Sequence, residues 1–129
     1  MRGRTYDVER TYDRSWKARI RLGHTIENAV AVRFVRQLEY RVDDDWHVVV
    51  RYDHGTDASE HDATDEGLHM DVYRDGQKLR TEQVGPPEHA NQALNRAEEH
   101  LQKHAERFIR RFEQWHNLDP DPTVGNDNP

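Results

Sequence analysis

Residues 46–74 read WHVVVRYDHGTDASEHDATDEGLHMDVYR. At both ends of this stretch, apolar residues that are mostly β-branched or aromatic alternate with polar ones, as in a strand with one buried face. The middle, residues 54–67, holds no large apolar side chain. We therefore predict two strands, 46–53 and 68–74, joined by a long acidic loop that is either functional or mobile.

The segment before this stretch carries apolar residues of one parity from Val30 to Val42. A slip of one residue would turn every apolar side chain to the wrong face, so the register requires an odd loop, and we predict a three-residue loop at 43–45. The predicted pairs are Val42 with Trp46, Tyr40 with Val48, and Leu38 with Val50. Arg36 then lies on the buried face opposite Tyr52, where it either extends its charge to solvent or is held by a specific contact.

The dipeptide Asp75-Gly76 is a strong hairpin signal, because a two-residue type I′ turn requires positive φ and favours this pair. This turn predicts cross-strand pairs on both faces of the hairpin. They are Val72 with Leu79 and Met70 with Thr81 on the apolar face, and Asp71 with Arg80 and His69 with Glu82 on the polar face.

Two further elements complete the fold. Alternation over residues 16–22 predicts a strand that ends at Gly23, and apolar spacings of three and four between 88 and 116 predict one amphipathic helix. Its apolar stripe is Ala90, Leu94, Ala97, Leu101, Ala105, Phe108, Phe112 and Trp115. The predicted fold class is α+β: an antiparallel four- or five-stranded meander with one long C-terminal helix packed across its apolar face.

We expect a basic N-terminal arm at 1–15, a single α+β domain at 16–116 and a disordered tail at 117–129. The helix would run about 43 Å, whereas an eight-residue strand runs only about 27 Å. The aromatic end of the helix is therefore expected to overhang the sheet. Phe108, Phe112 and Trp115 would then form a surface for a homodimer or a small protein partner.

Composition limits the function classes. Charged residues make up 34% of the 129 residues, and there is no cysteine for a disulfide or a thiolate metal site. An acidic chain that uses Arg in place of Lys resembles proteins of salt-adapted microbes. Residues 1–21 carry seven basic and three acidic side chains, a bias that fits either a nucleic-acid-binding arm or a solvated segment. Without an apolar run of membrane-spanning length or a leader, we expect a cytoplasmic protein that makes no membrane contact.

Six polar side chains share the open face of the predicted sheet: Arg51, Asp53, His69, Asp71, Tyr73 and Arg80. Such groups suit general acid/base chemistry on a phosphodiester, in which His moves a proton and Arg neutralises developing charge. The alternative is an ordinary solvated face whose charges pair for solubility. Their position on two neighbouring strands makes this set the candidate catalytic cluster.

Metal binding has less support. His100 and His104 lie one helical turn apart, a spacing that can hold a metal ion, but the sequence places no third ligand. His54, His61 and the loop acids offer nitrogen and oxygen ligands without a fixed spacing. We therefore predict neither a metal site nor a cofactor.

Residues 34–74, with the run Arg51-Tyr52-Asp53-His54 and a downstream His69, resemble the TumE-like toxins of prokaryotic toxin–antitoxin pairs. The paired His after the Asp and the later His-x-His of that family are missing here, because His54 stands alone and position 71 is Asp. The chain is also similar to a small uncharacterised family of haloarchaeal proteins with the same order of strands and helix. We rank the resemblance to the uncharacterised family, which implies no activity, above the resemblance to TumE-like toxins.

Two functional hypotheses follow. The first is a protein-interaction or regulatory module that acts as a homodimer. The alternative is a toxin-like, RNA-directed nuclease in which His69 and Asp53 transfer protons while Arg51 and Arg80 clamp phosphate. Only the second requires these side chains to converge on one substrate atom.

Overall fold

The computed structural model describes residues 6–56 and 61–124. Six antiparallel strands form one sheet in the order β1-β2-β3-β4-β5-β6, and a long helix follows. The elements are β1 Val8–Asp13, β2 Ala18–Glu27, β3 Val30–Val42, β4 Asp45–His54, α1 Ala63–Glu66, β5 His69–Arg74, β6 Gln77–Gln83 and α2 Ala90–Trp115. The α+β class and the antiparallel meander are confirmed, with six strands instead of the predicted four or five.

The additional strand comes from the predicted N-terminal arm. Residues 8–13 form β1, which pairs with β2 along its whole length. The prediction of a separate N-terminal arm is therefore wrong for this part of the chain, and residues 1–5 lie outside the described residues. The predicted end of a strand at Gly23 is also wrong, since β2 continues to Glu27. A Cβ at Gly23 would lie 2.8 Å from the ring of Tyr6. This glycine therefore permits close packing within a strand and does not end it.

The β3–β4 hairpin reaches the predicted alignment by a different route. Asp43 and Asp44 both have positive φ, 52° and 70°, and form a two-residue turn instead of a three-residue loop. The predicted cross-strand pairs near the turn are therefore wrong, since Val42 lies opposite Asp45. A bulge then inserts Val49 between the pairs Glu39–Val48 and Leu38–Val50. Beyond the bulge, the predicted pairing of Leu38 with Val50 is confirmed.

The β5–β6 hairpin has the predicted turn at Asp75 and Gly76 but a different register. A bulge at Leu79 moves each partner by one residue, so the four predicted pairs are wrong. The observed pairs are Val72 with Arg80, Asp71 with Thr81, Met70 with Glu82 and His69 with Gln83. Leu79 lies at the bulge of an edge strand and is 47% exposed.

Helix α2 packs across the sheet, chiefly against β3 and β4. The predicted aromatic overhang is wrong, because Phe108 and Phe112 are only 1% and 3% exposed. The thirteen-residue β3, at about 3.3 Å per residue, runs roughly as far as α2. The longer strand therefore covers the helix end that an eight-residue strand would leave free. Trp115 is partly buried, with the guanidinium of Arg111 4.8 Å from its ring.

Arg36 lies on the helix side of the sheet opposite Tyr52, as predicted, and is 4% exposed. It is held there by specific contacts and does not extend to solvent. Its Nε and Nη2 donate to Oε2 of Glu98 at 3.1 and 2.9 Å, and its Nη1 donates to the carbonyl oxygens of Gly23 and Val35. A buried charge with this many acceptors avoids the penalty of an unpaired one and fixes α2 to the sheet.

The predicted disordered tail is wrong for residues 117–124, and residues 125–129 lie outside the described part of the chain. Asp121 is fully buried, and its Oδ2 accepts from the Ser15 hydroxyl at 2.8 Å and the Lys17 amide at 2.7 Å. The amide of Trp16 donates to Oγ1 of Thr123 at 2.7 Å. These hydrogen bonds join the C-terminal segment to the β1–β2 connection.

The two apolar residues Met70 and Leu79 of one hairpin provide a test of the core. Met70 is fully buried and Leu79 is 47% exposed. We expect Met70→Ala to lower the free energy of unfolding by about 2–5 kcal/mol, because it leaves a cavity. The matched change Leu79→Ala should lower the free energy of unfolding by less than about 0.5 kcal/mol. Urea unfolding of both variants measures the difference. Equal losses would contradict this assignment of the core face.

Candidate functional site

Two histidines and two carboxylates lie together on the sheet face that points away from α2. We call Asp53, His61, His69 and Asp71 the His–Asp cluster. Asp53 comes from the end of β4, His69 and Asp71 from β5, and His61 from the loop that joins these strands. Adjacent strands and their connecting loop thus bring these four residues to one place.

The described part of the loop that precedes β5, residues 61–67, is folded, which the sequence did not predict. His54 ends β4, is buried, and accepts a hydrogen bond at Nδ1 from the amide of Ala63 at 2.9 Å. Ala63 begins the single-turn helix α1, and Oδ1 of Asp62 caps that helix by accepting from the amide of Thr64 at 3.0 Å. The hydrogen bond from the Thr64 side chain lowers the pKa of Asp62 and keeps this cap ionised. His54 therefore supports the position of His61 without joining the cluster.

Gly67 and Gln83 fix the other end of the loop. Gly67 has a φ of 86°, and a Cβ there would lie 2.3 Å from the carbonyl oxygen of Gly85. Only glycine fits this position, because both the backbone conformation and the space exclude a side chain. Nε2 of Gln83 donates to the carbonyl oxygens of Glu66 and Gly85 at 3.3 and 3.1 Å. The end of α1 is thereby held against the end of β6.

Within the cluster, His61 is the central residue. Its Nε2 lies 3.3 Å from Oδ1 of Asp71, and its Nδ1 lies 3.7 Å from Oε1 of Glu66. Its ring centroid is 5.0 Å from that of His69. Oδ1 of Asp71 also accepts from the hydroxyl of Thr81 at 2.7 Å. This hydrogen bond orients the carboxylate toward the imidazole.

Two cations flank the carboxylates. Nε of Arg51 lies 3.6 Å from Oδ2 of Asp53, and its Nη1 donates to Oε1 of Gln37 at 3.0 Å. Nζ of Lys78 lies 3.6 Å from Oδ2 of Asp71. Asp53 and Asp71 are 4% and 5% exposed, whereas the Lys78 side chain is 48% exposed. The cluster therefore has buried acids at its base and a half-exposed cation at its rim.

The set of groups is also able to bind a metal ion. Ligand atoms of Asp53, His61 and Asp71 all lie within 4.8 Å of one another, and the same holds for His61, Glu66 and His69. His61 belongs to both trios. Imidazole and carboxylate ligands together suit divalent transition metals.

Of the six residues predicted from sequence, the structure brings four together: Arg51, Asp53, His69 and Asp71. Tyr73 shares their face, two residues beyond Asp71 on β5, and is partly buried. The site also includes four residues that were not predicted from the sequence to belong to it: His61, Glu66, Lys78 and Thr81. Their positions depend on the fold of the loop and on the bulge in β6. Of these four residues, only His61 could have been suspected from the sequence, because it is a histidine in a long loop.

Arg80 does not belong to the cluster. It lies opposite Val72, whose side chain is in the core, and therefore points to the helix side of the sheet. Its Nε donates to Oε2 of Glu82 at 2.7 Å. Burial, and then the charge of Arg80, lower the pKa of Arg111 on α2. The bulge at Leu79 causes this difference, because it turns Arg80 away from the face of Asp71.

His100 and His104 form a separate pair on α2, with ring centroids 4.5 Å apart. Nδ1 of His100 lies 2.7 Å from the hydroxyl of Tyr52, whose pKa is raised by burial. Burial, and then the charge of His104, lower the pKa of His100. Among the described residues, no third metal ligand accompanies this pair.

The lowered pKa of His100 predicts how its titration depends on pH. We expect a midpoint below its ordinary value of 6.5, measured by NMR of the imidazole. Because the unfolded chain binds this proton more readily, the contribution of His100 to stability is present above pH 6.5 and is lost as the pH falls below it. Tyr52→Phe should leave the midpoint below 6.5, since burial is the larger cause. A midpoint at or above 6.5 would contradict this interpretation.

The fold and the site together define a small α+β protein with a helix on one face of a meander sheet and a His–Asp cluster on the other. The family model described as a domain of unknown function, DUF7718, matches residues 2–118, and the chain belongs to that family. No curated protein and no solved structure matches the chain. Across the described ranges 6–56 and 61–124, no helix is long and apolar enough to cross a membrane.

Proposed function

We propose that the protein is an RNA-directed enzyme of the toxin-like nuclease class, with the His–Asp cluster as its catalytic site. The observation that carries the proposal is convergence: a buried carboxylate from each of two strands and an imidazole from the loop present atoms within 4.8 Å of one another. A second imidazole, His69, stacks 5.0 Å from His61. Groups that act on one substrate atom must meet in this way.

In this proposal His69 is the proton-transfer group. Its Nδ1 has no hydrogen-bond partner among the described residues, so no protein group competes with a substrate hydroxyl that enters the cluster for this nitrogen. The 2′-hydroxyl of RNA gives its proton to His69, the 2′-oxygen forms a bond to phosphorus, and the bond from phosphorus to the 5′-oxygen breaks. The leaving oxygen takes a proton from water. Arg51 and Lys78 neutralise the charge that develops on the phosphoryl oxygens.

The proposal modifies two of the sequence-based roles. Asp53 lies beside the guanidinium of Arg51 and orients it, in place of the proton transfer first assigned to it. Lys78 takes the clamp role assigned to Arg80, which lies on the other face of the sheet. RNA as substrate rests on the resemblance of residues 34–74 to TumE-like toxins, and a cytoplasmic location is part of the same proposal.

Expression in bacterial cells tests this function. Wild-type protein should arrest growth and fragment cellular RNA, and His69→Ala should relieve both by removing the proton-transfer group. His104→Ala removes an imidazole from α2, away from the cluster, and should leave both effects unchanged. A soluble, folded wild-type protein that leaves growth and RNA intact at high expression would refute the enzymatic proposal.

A protein-interaction module that acts as a homodimer is the second candidate. It no longer rests on Phe108 and Phe112, which are buried, but on exposed apolar side chains at the sheet edges. Tyr12 of edge strand β1 is 44% exposed and Leu79 of edge strand β6 is 47% exposed. An edge strand offers unpaired backbone groups, which pair readily with a second copy of the same strand.

Sedimentation tests this candidate. If two copies pair through β6, Leu79→Lys should convert dimer to monomer, because it places a charge at the apolar contact. Ile26→Lys changes a side chain of the same 47% exposure on β2 and should leave the dimer intact. A wild-type monomer at high concentration, or a dimer that survives Leu79→Lys, removes this edge as the interface.

A further inference from the structure

We propose that the His–Asp cluster binds one divalent transition-metal ion through Asp53, His61 and Asp71. The inference stands apart from the RNA-directed activity, because binding of an ion can be measured without substrate. It assigns to His61, which lies just before α1, the role of the third ligand beside the two strand carboxylates.

The first support is the placement of donor atoms. One ligand atom from each of the three residues lies within 4.8 Å of the other two. Metal–ligand bonds of about 2.0–2.2 Å place ligand atoms of one ion roughly 3–4 Å apart. Only small side-chain movements are needed to reach that spacing. The two carboxylates come from rigid strands, and His61 comes from a loop held by the hydrogen bond between Ala63 and His54.

The second support is the state of His69. Its Nδ1 is buried from solvent and has no hydrogen-bond partner among the described residues. Leaving such a group unsatisfied is costly, so native structures rarely do so without a reason. His69 also forms a second trio with His61 and Glu66. Because Glu66 lies on the Nδ1 side of His61 and Asp71 on its Nε2 side, this second trio is an alternative position for the ion, and His61 is the ligand common to both.

The surroundings of the carboxylates fit this role. Thr81 donates to Asp71 and fixes its orientation, as groups behind metal ligands commonly do. Lys78 contacts the other oxygen of Asp71 and opposes a cation, but its side chain is half exposed and free to move to solvent. Arg51 is held by Gln37, and its Nε lies 3.6 Å from Oδ2 of Asp53, longer than a hydrogen bond.

The ligand chemistry selects the class of ion. The set contains imidazole nitrogen and carboxylate oxygen, and the chain has no cysteine. Zn²⁺, Mn²⁺ and Fe²⁺ accept such mixed sets, whereas Mg²⁺ prefers oxygen ligands and retains its water. We therefore expect Zn²⁺ or Mn²⁺ to bind more tightly than Mg²⁺.

Equilibrium dialysis of the full chain against Zn²⁺, Mn²⁺ and Mg²⁺, with metal counted by atomic emission, tests the inference. One ion per chain is expected, and Co²⁺ in place of Zn²⁺ should give visible absorption bands. His61→Ala removes the residue common to both trios and should weaken binding by on the order of 100-fold or more. Asp71→Asn keeps the shape of the side chain and should weaken it as well.

The control separates this site from its rival on α2. His104→Ala removes half of the His100–His104 pair and should leave the affinity unchanged, with circular dichroism confirming that each variant is folded. Wild-type protein that binds no ion above background would overturn the inference, as would His61→Ala with wild-type affinity. Metal binding without RNA cleavage would support the site and refute the enzymatic proposal. RNA cleavage by protein that binds no ion in dialysis would support the enzymatic proposal and overturn this inference.

Discussion

The arrangement of side chains on the two faces of the sheet depends on β-bulges. A strand places successive side chains on opposite faces, so one inserted residue exchanges the faces of everything beyond it. The tight turn at Asp43 and Asp44 alone would align Arg36 with Arg51. The extra residue Val49 aligns Arg36 with Tyr52 instead, and Arg51 and Asp53 then lie on the face of the cluster. The site exists because the hairpin contains this bulge.

The bulge at Leu79 has the same effect on β6. Continuous pairing from the turn at Asp75 and Gly76 would place Arg80 opposite Asp71. With the bulge, Thr81 takes that position and donates to Asp71, and Arg80 turns to the helix side. The cluster thereby exchanges a fixed guanidinium for a hydroxyl. The basic side chains that contact Asp71 are then His61 and, at the rim, Lys78. Lys78 neutralises the charge of the Asp71 carboxylate less than a guanidinium placed directly opposite would. Asp71 is therefore able to bind an imidazole or an ion.

Periodicity predicted the class of fold, the strands around the cluster, three of its four residues and the neighbouring Arg51, because alternation depends only on which side chains are apolar. It predicted correctly that Arg36 faces Tyr52, but from a three-residue loop that does not occur. A two-residue turn followed by a bulge gives the same parity, so the apolar pattern does not distinguish them. The fold of the loop was missed because buried anchors such as Ala63 are small, and the hydrogen bond from Ala63 to His54 spans nine residues.

The burial of polar groups distinguishes this sheet face from an ordinary solvated one. Gln37 and Glu39 on the central strand β3 are each 5% exposed, and the Glu39 carboxylate accepts hydrogen bonds from Arg19 at 2.6 Å and from Gln37. That half of the face is a closed network in which each acceptor has its donor. In the other half, an equally buried Nδ1 of His69 has no partner among the described residues. Because burying an unpaired group is costly, the contrast supports the proposed site in the half where the network is open.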